Sequence, residues 1–235
     1  LNNFVHAFDA YFEGVSSSDN FLSTTNISFD VSIFELFLPL VFGASLVLYH
    51  NELIRDILDY TDYIVKHEIT GLYIPPNILN EVYFLLKDKK NLKIDKLLVG
   101  VEAIKKETLD KYFLLNPNMH IVNGYGPTET TICCSALPYS KDLPIETDIV
   151  PIGMPLFNDH IYILDTSKKL RPVGLAGELY VTGNGVGAGY INNESETSKN
   201  YLPNIFDNSS EKMYKTGDIG KWNEDRNYKS CWQER

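Results

Sequence analysis

The chain has 235 residues, 44% of them apolar and 22% charged, which is ordinary for a folded protein and enough for one large or two small domains with a sizeable core. Its 21 basic and 31 acidic residues give a formal charge of −10, so it lacks the basic footprint that nucleic-acid binding needs; a small, metal-shielded nucleotide is not excluded on that ground. Three cysteines, two of them adjacent as Cys133-Cys134, form neither a disulfide framework nor a zinc spacing. No apolar run reaches the roughly 18 residues of a membrane span. The chain opens on Leu1 without a basic, apolar leader, and it reads as a cytoplasmic protein with no membrane partner and as a piece of something longer.

Phe4, Phe8, Tyr11 and Phe12 predict a first helix, and Phe21 to Thr25 a strand. Ser28 is placed to cap a helix running to Phe42, with Val31, Phe34, Leu38 and Val41 on one face and Asp30 at its mouth. The stretch from Ile33 to Leu48, interrupted by Glu35, Pro39 and Gly43, reads as this core helix followed by a strand. Short apolar runs then alternate with amphipathic segments. Ser45–Tyr49, Gly71–Ile74, Ile94–Val99 and Met119–Val122 read as strands; Glu52–Glu68, Pro76–Lys87 and Ala103–Leu115 read as helices. That rhythm predicts an α/β fold with a parallel sheet covered by helices, whose ligands bind at the carboxyl ends of the strands. The lysine-rich stretch from Lys87 to Lys96 reads as solvated loop.

Past Ser135 the rhythm changes. Pro138, Pro144, Pro151 and Pro155 break the chain, and short runs at His160–Leu164, Glu178–Thr182 and Met213–Thr216 predict a β-rich, distorted barrel-like subdomain with one helix near Glu194–Tyr201. The expected divisions are an α/β part at residues 1–137, a β-rich part at 138–222 and a divergent tail at 223–235.

Chemistry concentrates in His120 to Cys134. A buried strand, Ile121-Val122, runs into Asn123-Gly124-Tyr125-Gly126-Pro127, read as a turn, and then into Thr128-Glu129-Thr130-Thr131. Glycines let the backbone approach a flat ligand, hydroxyls suit phosphate oxygens, and a carboxylate suits a hard cation such as Mg²⁺; a plain strand, turn and helix cap would have the same composition. The run Gly183 to Gly189 misses the dinucleotide spacing and reads as a flexible turn between strands. Tyr214-Lys215-Thr216-Gly217-Asp218 delivers an acid that could accept hydrogen bonds from a ribose diol, although a simple Thr-Gly-Asp turn would look the same.

Four stretches in order resemble the adenylation domains of nonribosomal peptide synthetases, members of the adenylate-forming superfamily with acyl-CoA ligases and luciferases. They are Phe29-Asp30-Val31-Ser32, Asn123 to Thr131, Gly177 to Gly183 continuing through Gly189-Tyr190, and Tyr214 to Asp218. The resemblance implies an ATP-dependent ligase that joins an amino acid carboxylate to the α-phosphate of ATP and passes the acyl group to a carrier-protein phosphopantetheine thiol. It implies peptidyl carrier and condensation domains as partners. Asn123 and Tyr125 would hold the adenine, with Gly124 and Gly126 also in the nucleotide site; Thr128 would contact phosphate and Glu129 would bind Mg²⁺, the two catalytic residues, and Asp218 would grip the ribose. Asp30 would pair with the substrate ammonium, which favours an amino acid over a fatty or aryl acid. Val31, Phe34, Tyr73, Leu98, Gly100, Gly124, Ile132 and Cys133 would line the side-chain pocket; none is charged, so the expected substrate is apolar or aromatic.

The match has gaps. The family's phosphate loop and its lysine are absent from this chain, as is the C-terminal domain with the catalytic lysine. After Trp222 the family's tyrosine and arginine positions become Ser230 and Gln233, and Ala188 stands where the family usually has arginine. The expectation is therefore a central fragment with little activity by itself; the alternatives are an acyl- or aryl-CoA ligase and a non-catalytic remnant.

Overall fold

The computed structural model describes residues 1–49, 54, 56–145, 147–206, 212–223 and the backbone of 231–234. The chain divides into two compact units, one comprising Leu1–Phe4, Gly124–Leu137 and Pro151–Arg235, the other Val5–Asn123 and Pro138–Val150. Among the described residues no helix is long and apolar enough to cross a membrane.

The second of these units is an α/β sheet. Helix α1 (Asn2–Tyr11), whose first residues belong to the other unit, is followed by β1 (Asn20–Ser23), α2 (Val31–Val41), β2 (Ser45–Leu48), α3 (Ile57–Lys66), β3 (Gly71–Tyr73), α4 (Leu79–Leu86), β4 (Lys96–Gly100), α5 (Lys106–Leu115) and β5 (His120–Tyr125). The strands lie in the order β2-β1-β3-β4-β5, with β1 parallel to β2 and β3, and β3 parallel to β4. Covered on both faces, these strands are continuous apolar runs: Phe21, Leu22, Leu72, Leu97, Leu98 and Val99 are each 2% exposed or less. Helix α2 packs on β1 and β2, while α3, α4 and α5 pack in succession on one another.

Element ends follow local chemistry. Helix α2 begins at Val31 rather than at Ser28, because the Ser28 amide and hydroxyl both donate to Asn26 Oδ1, at 2.9 and 2.8 Å, and close a turn there instead. It ends where Pro39 has removed a donor and Gly43 takes a φ of 76°, with the Ala44 amide reaching back to the Pro39 carbonyl. Asp56 caps α3, accepting from the amides of Leu58 and Asp59 at 2.9 and 3.2 Å; the expected start at Glu52 lies outside the described residues. Ala103 to Lys105 stay outside α5, since Lys105 is held extended by a bridge to Ile149. Lys96, expected in solvent, is 6% exposed and donates to Asp19 Oδ1 at 2.9 Å, where the Thr70 hydroxyl also donates.

The other unit is an antiparallel sheet. Strands β6 (Ser135–Tyr139) and β7 (Met154–Pro155) pair with each other through Ser135 and Ala136. Strands β8 (Asp159–Leu164), β9 (Gly177–Gly183), β10 (Tyr201–Pro203), β11 (Lys212–Trp222) and β12 (Cys231–Glu234) form a five-stranded sheet in the order β10-β11-β9-β8, with β12 also on β11. A short helix, α6 (Glu194–Asn200), is capped by Asn193. Alternation along the strands sends Tyr125, Cys134, Ile161, Ile163, Leu179 and Val181 into one core and Leu164, Tyr180 and Met213 into another. Of the tail positions singled out from the sequence, Ser230 lies outside the described residues and Gln233 falls on β12, opposite Gly220.

Candidate functional site

Strand β5 carries further than its sequence suggested. Asn123, Gly124 and Tyr125 are strand, not turn, and all three are buried; the chain bends only at Gly126-Pro127. Thr128 to Thr130 form one 3₁₀ turn, held by the Thr130 amide and hydroxyl on the Pro127 carbonyl, both at 2.8 Å. Thr128 faces solvent and Glu129 is half-buried.

The next residues are strained. Thr131 and Ile132 have φ of 62° and 71°, and the Cys133 amide donates to the Thr131 carbonyl at 2.9 Å, closing a γ-turn on a β-branched residue. That positive-φ turn is the rare form, and such conformations persist only where the surroundings over-determine them, most often at ligand sites. Here the Thr131 hydroxyl is fixed on the Gly185 carbonyl at 2.6 Å, and the Gly187 amide donates to the Glu129 carbonyl at 2.8 Å. The glycine run 183–189, expected to be a flexible turn, is therefore pinned to this segment; Asp159 also holds it, accepting from the Gly185 amide at 2.8 Å.

Tyr125 and Asp218, 93 residues apart, meet: the Tyr125 hydroxyl donates to Asp218 Oδ2 at 2.6 Å. Asp218 is presented by a β-bulge rather than by a strand-ending turn. The pairing of β11 with β9 shifts register between Lys215 and Ile219, Gly217 takes a φ of 80°, and the Thr216 hydroxyl accepts from the Asp218 amide at 3.0 Å. Burial first, then Cys134 and Asp218 beside it, push the Tyr125 phenol far above its usual range, so it stays a donor. Burial likewise raises the Cys134 thiol to about 12, which leaves it unreactive.

Sequence reasoning passed over the tyrosines around Glu129. The Tyr190 hydroxyl donates to Glu129 Oε1 at 2.5 Å and lies 3.3 Å from the Tyr214 hydroxyl, while the Tyr201 ring packs on both. Both Tyr190 and Tyr214 stand inside the motif stretches, which was the available signal. Burial, then the bond to Glu129, raises the Tyr190 phenol, which keeps it protonated as the donor.

In the α/β unit, Asp30 occupies the N-cap position of α2, half-exposed, with no capping hydrogen bond from its side chain. Val31 and Phe34 follow on the buried face. Phe34 is fully enclosed by Phe8, Phe12 and Phe21, with ring centroids 5.6, 6.3 and 6.4 Å away. Tyr73, the last residue of β3, is directly opposed to Leu98 in the middle of β4; β4 ends at Gly100, which with the following Val101 takes φ of 145° and 75°. Asn123, 4% exposed, closes this unit on β5. Gly124, Ile132 and Cys133 belong to the other unit, the last two 6% and 7% exposed.

A parallel sheet flanked by helices is an α/β fold, a class whose ligands bind at the carboxyl ends of the strands. The family model for AMP-binding enzymes matches residues 1–191, and the chain belongs to that family. It is similar to malpinin synthetase of Mortierella alpina, 35% identical over 214 residues that make up 91% of this chain and 3% of that protein. Gramicidin S synthase 1 of Brevibacillus brevis is 35% identical over 213 residues, 91% of this chain and 18% of that protein. The fold matches that of PA1221, a nonribosomal peptide synthetase protein containing adenylation and PCP domains, with a TM-score of 0.83 and 24% identity across 95% of this chain and 44% of that one. The chain thus spans less than half the length of each of these proteins.

Proposed function

We propose that the chain is the central part of an amino-acid-activating adenylation domain. An amino acid and ATP would give aminoacyl-AMP and pyrophosphate, and the acyl group would pass to a phosphopantetheine thiol on a peptidyl carrier domain, with a condensation domain as the further partner. The carrying observation is the Tyr125–Asp218 bond: the resemblance assigns these residues to the adenine and ribose of one nucleotide, and they lie side by side. Asn123 joins Tyr125 on the adenine, Gly124 and Gly126 belong to the same nucleotide-binding stretch, and Thr128, an exposed residue, would contact phosphate. The peptide synthetases among the relatives, and the carrier domain named for PA1221, support the same reading.

Glu129 fits Mg²⁺ in one particular sense. Among the described residues no group of three or more His, Cys, Asp or Glu could hold a metal. Mg²⁺ commonly takes one or two carboxylates and completes its shell with water and substrate phosphates. Glu129, anchored through one oxygen by Tyr190, suits that role, and the cation would neutralise charge on the phosphates.

For the amino acid, Asp30 is the proposed partner of the ammonium: the resemblance assigns that role to the acid of Phe29-Asp30-Val31-Ser32, and Asp30 stands half-exposed at the start of α2. None of the residues that the resemblance assigns to the side chain is charged: Val31, Phe34, Tyr73, Leu98 and Gly100 in the α/β unit, Gly124, Ile132 and Cys133 in the other, with the Tyr73 hydroxyl as the polar handle. An apolar or aromatic amino acid follows, because a charged side chain would be desolvated without a partner. The test is amino-acid-dependent ATP–pyrophosphate exchange by the full-length protein encoded by this gene. Highest exchange with an apolar or aromatic amino acid is expected. Exchange highest with Asp, Glu, Lys or Arg would overturn the specificity, and exchange driven only by fatty or aryl acids would indicate an acyl- or aryl-CoA ligase.

A further inference from the structure

Glu35 lies on α2, four residues beyond Val31, and its side chain is fully buried. Both carboxylate oxygens are engaged by three consecutive residues where the chain leaves β1. Oε2 accepts from the Ser23 hydroxyl at 3.1 Å and from the Thr24 and Thr25 amides, each at 2.9 Å. Oε1 accepts from the Thr24 and Thr25 hydroxyls at 3.3 and 2.8 Å. No lysine or arginine completes the arrangement among the described residues. Burial pushes the Glu35 carboxyl above its usual range, and the hydrogen bonds offset this only in part. A buried carboxylate without a cation is costly to desolvate, and an apolar residue would fill the space but leave the Thr24 and Thr25 amides without this acceptor. The acid is therefore held here by its hydrogen bonds rather than by space-filling.

What the acid does is close a ring. The segment it grips leads through Asn26 to Phe29 directly to Asp30, and Asp30 starts the helix that carries Glu35. The far end of the same connection is tied by the Ser32 hydroxyl on the Phe29 carbonyl at 2.6 Å and by the Ile33 amide on the Asp30 carbonyl at 2.9 Å. Strand end, connecting loop and helix start are thus fastened to one another, and Asp30 is fixed relative to the sheet. We propose that Glu35 is the positioning residue for Asp30: by clamping Ser23, Thr24 and Thr25 it fixes the carboxylate that receives the amino acid ammonium. This inference rests on the proposed function.

The experiment compares KM for the amino acid with KM for ATP in pyrophosphate exchange by the full-length protein, with Glu35→Gln and Thr25→Val as variants. Glutamine keeps the shape and can leave its oxygen on the two amides, but its NH₂ group then replaces the acceptor that the Thr24 and Thr25 hydroxyls use at Oε1; those two contacts must reverse or open, and the clamp loosens. Glu35→Gln is expected to raise the amino acid KM roughly tenfold and to leave the ATP KM within about twofold. Thr25→Val, which deletes the 2.8 Å hydroxyl contact alone, is expected to do the same by about threefold. A merely structural acid would lower thermal stability without separating the two KM values; that result, or equal rises in both, would overturn the proposal. Should Glu35→Gln fail to fold, an unchanged amino acid KM in Thr25→Val would overturn it. Absence of amino-acid-dependent exchange in the unmutated protein would instead defeat the proposed function, and this inference with it.

Discussion

Gly126 is held to glycine by backbone on its far side. A Cβ there would lie 2.6 Å from Cys133 Cα, 2.7 Å from the Cys134 amide nitrogen and 2.8 Å from the Ile132 carbonyl oxygen. None of these is the end of a flexible side chain, so the strained turn at Ile132 would have to shift. Gly126→Ala is expected to destabilise the protein by about 2 kcal/mol in urea unfolding, and a loss below about 0.5 kcal/mol would mean the turn yields freely. Glycine as a point of close approach is legible in a sequence. Two β-branched residues at positive φ are not, because Thr131 and Ile132 adopt a geometry that local preference opposes. Ala188 shows a different gap. Its carbonyl accepts from Lys212 Nζ at 2.7 Å, and that amine stands 5.8 Å from the centre of the Tyr201 ring. A cation reaches this turn from β11, 24 residues away in sequence, where position 188 itself supplies none.

The α/β strands could be read from sequence because their residues are apolar on both faces, as with Leu72 on β3 and Leu97-Leu98-Val99 on β4. Where an element depends on pairing or on a polar contact, the pattern fails. Asn123-Gly124-Tyr125 has turn composition yet continues β5, and Glu35 interrupts an apolar stretch like a solvent-facing acid although it is fully enclosed. Lys96 belongs to the same class, since in a lysine-rich stretch nothing distinguishes the one residue that turns inward at the start of β4. Burial pushes the carboxyl of its partner Asp19 upward, but the bonds from Lys96, the Ser16 amide and Thr70 outweigh this and hold it below the usual range. Lys96→Met keeps the volume and strands Asp19 without its cation. The expected loss is about 3 kcal/mol in urea unfolding at pH 7, shrinking at acid pH, where Asp19 takes up a proton and no longer needs the lysine. A loss of the same size at both pH values would show that the methionine fails on packing rather than on charge.

At the scale of the whole molecule, with its formal charge of −10, stability against pH sums carboxylates of opposite sign. Asp19 is depressed, so its contribution is present above the ordinary aspartate range and is lost as pH falls through its folded pKa. Asp159 works the other way: burial raises it to about 6 from 3.8, while the Gly185 amide and the charges of His160 and the amino terminus oppose the rise. Its contribution is fully present below the unfolded value of 3.8 and is lost as pH climbs through about 6, so at neutral pH the ionised group works against folding. Asp159→Asn removes the charge but keeps an oxygen to accept the Gly185 amide, so the glycine run stays anchored beside Glu129. The variant is expected to be more stable than the unmutated protein at pH 7, by about 1 kcal/mol after allowance for solvent screening. The difference should vanish near pH 4, where Asp159 is protonated and chemically resembles the amide. Urea midpoints at the two pH values measure this directly; a variant less stable at pH 7 would mean that the negative charge itself, rather than the hydrogen bond, holds the 183–189 run in place.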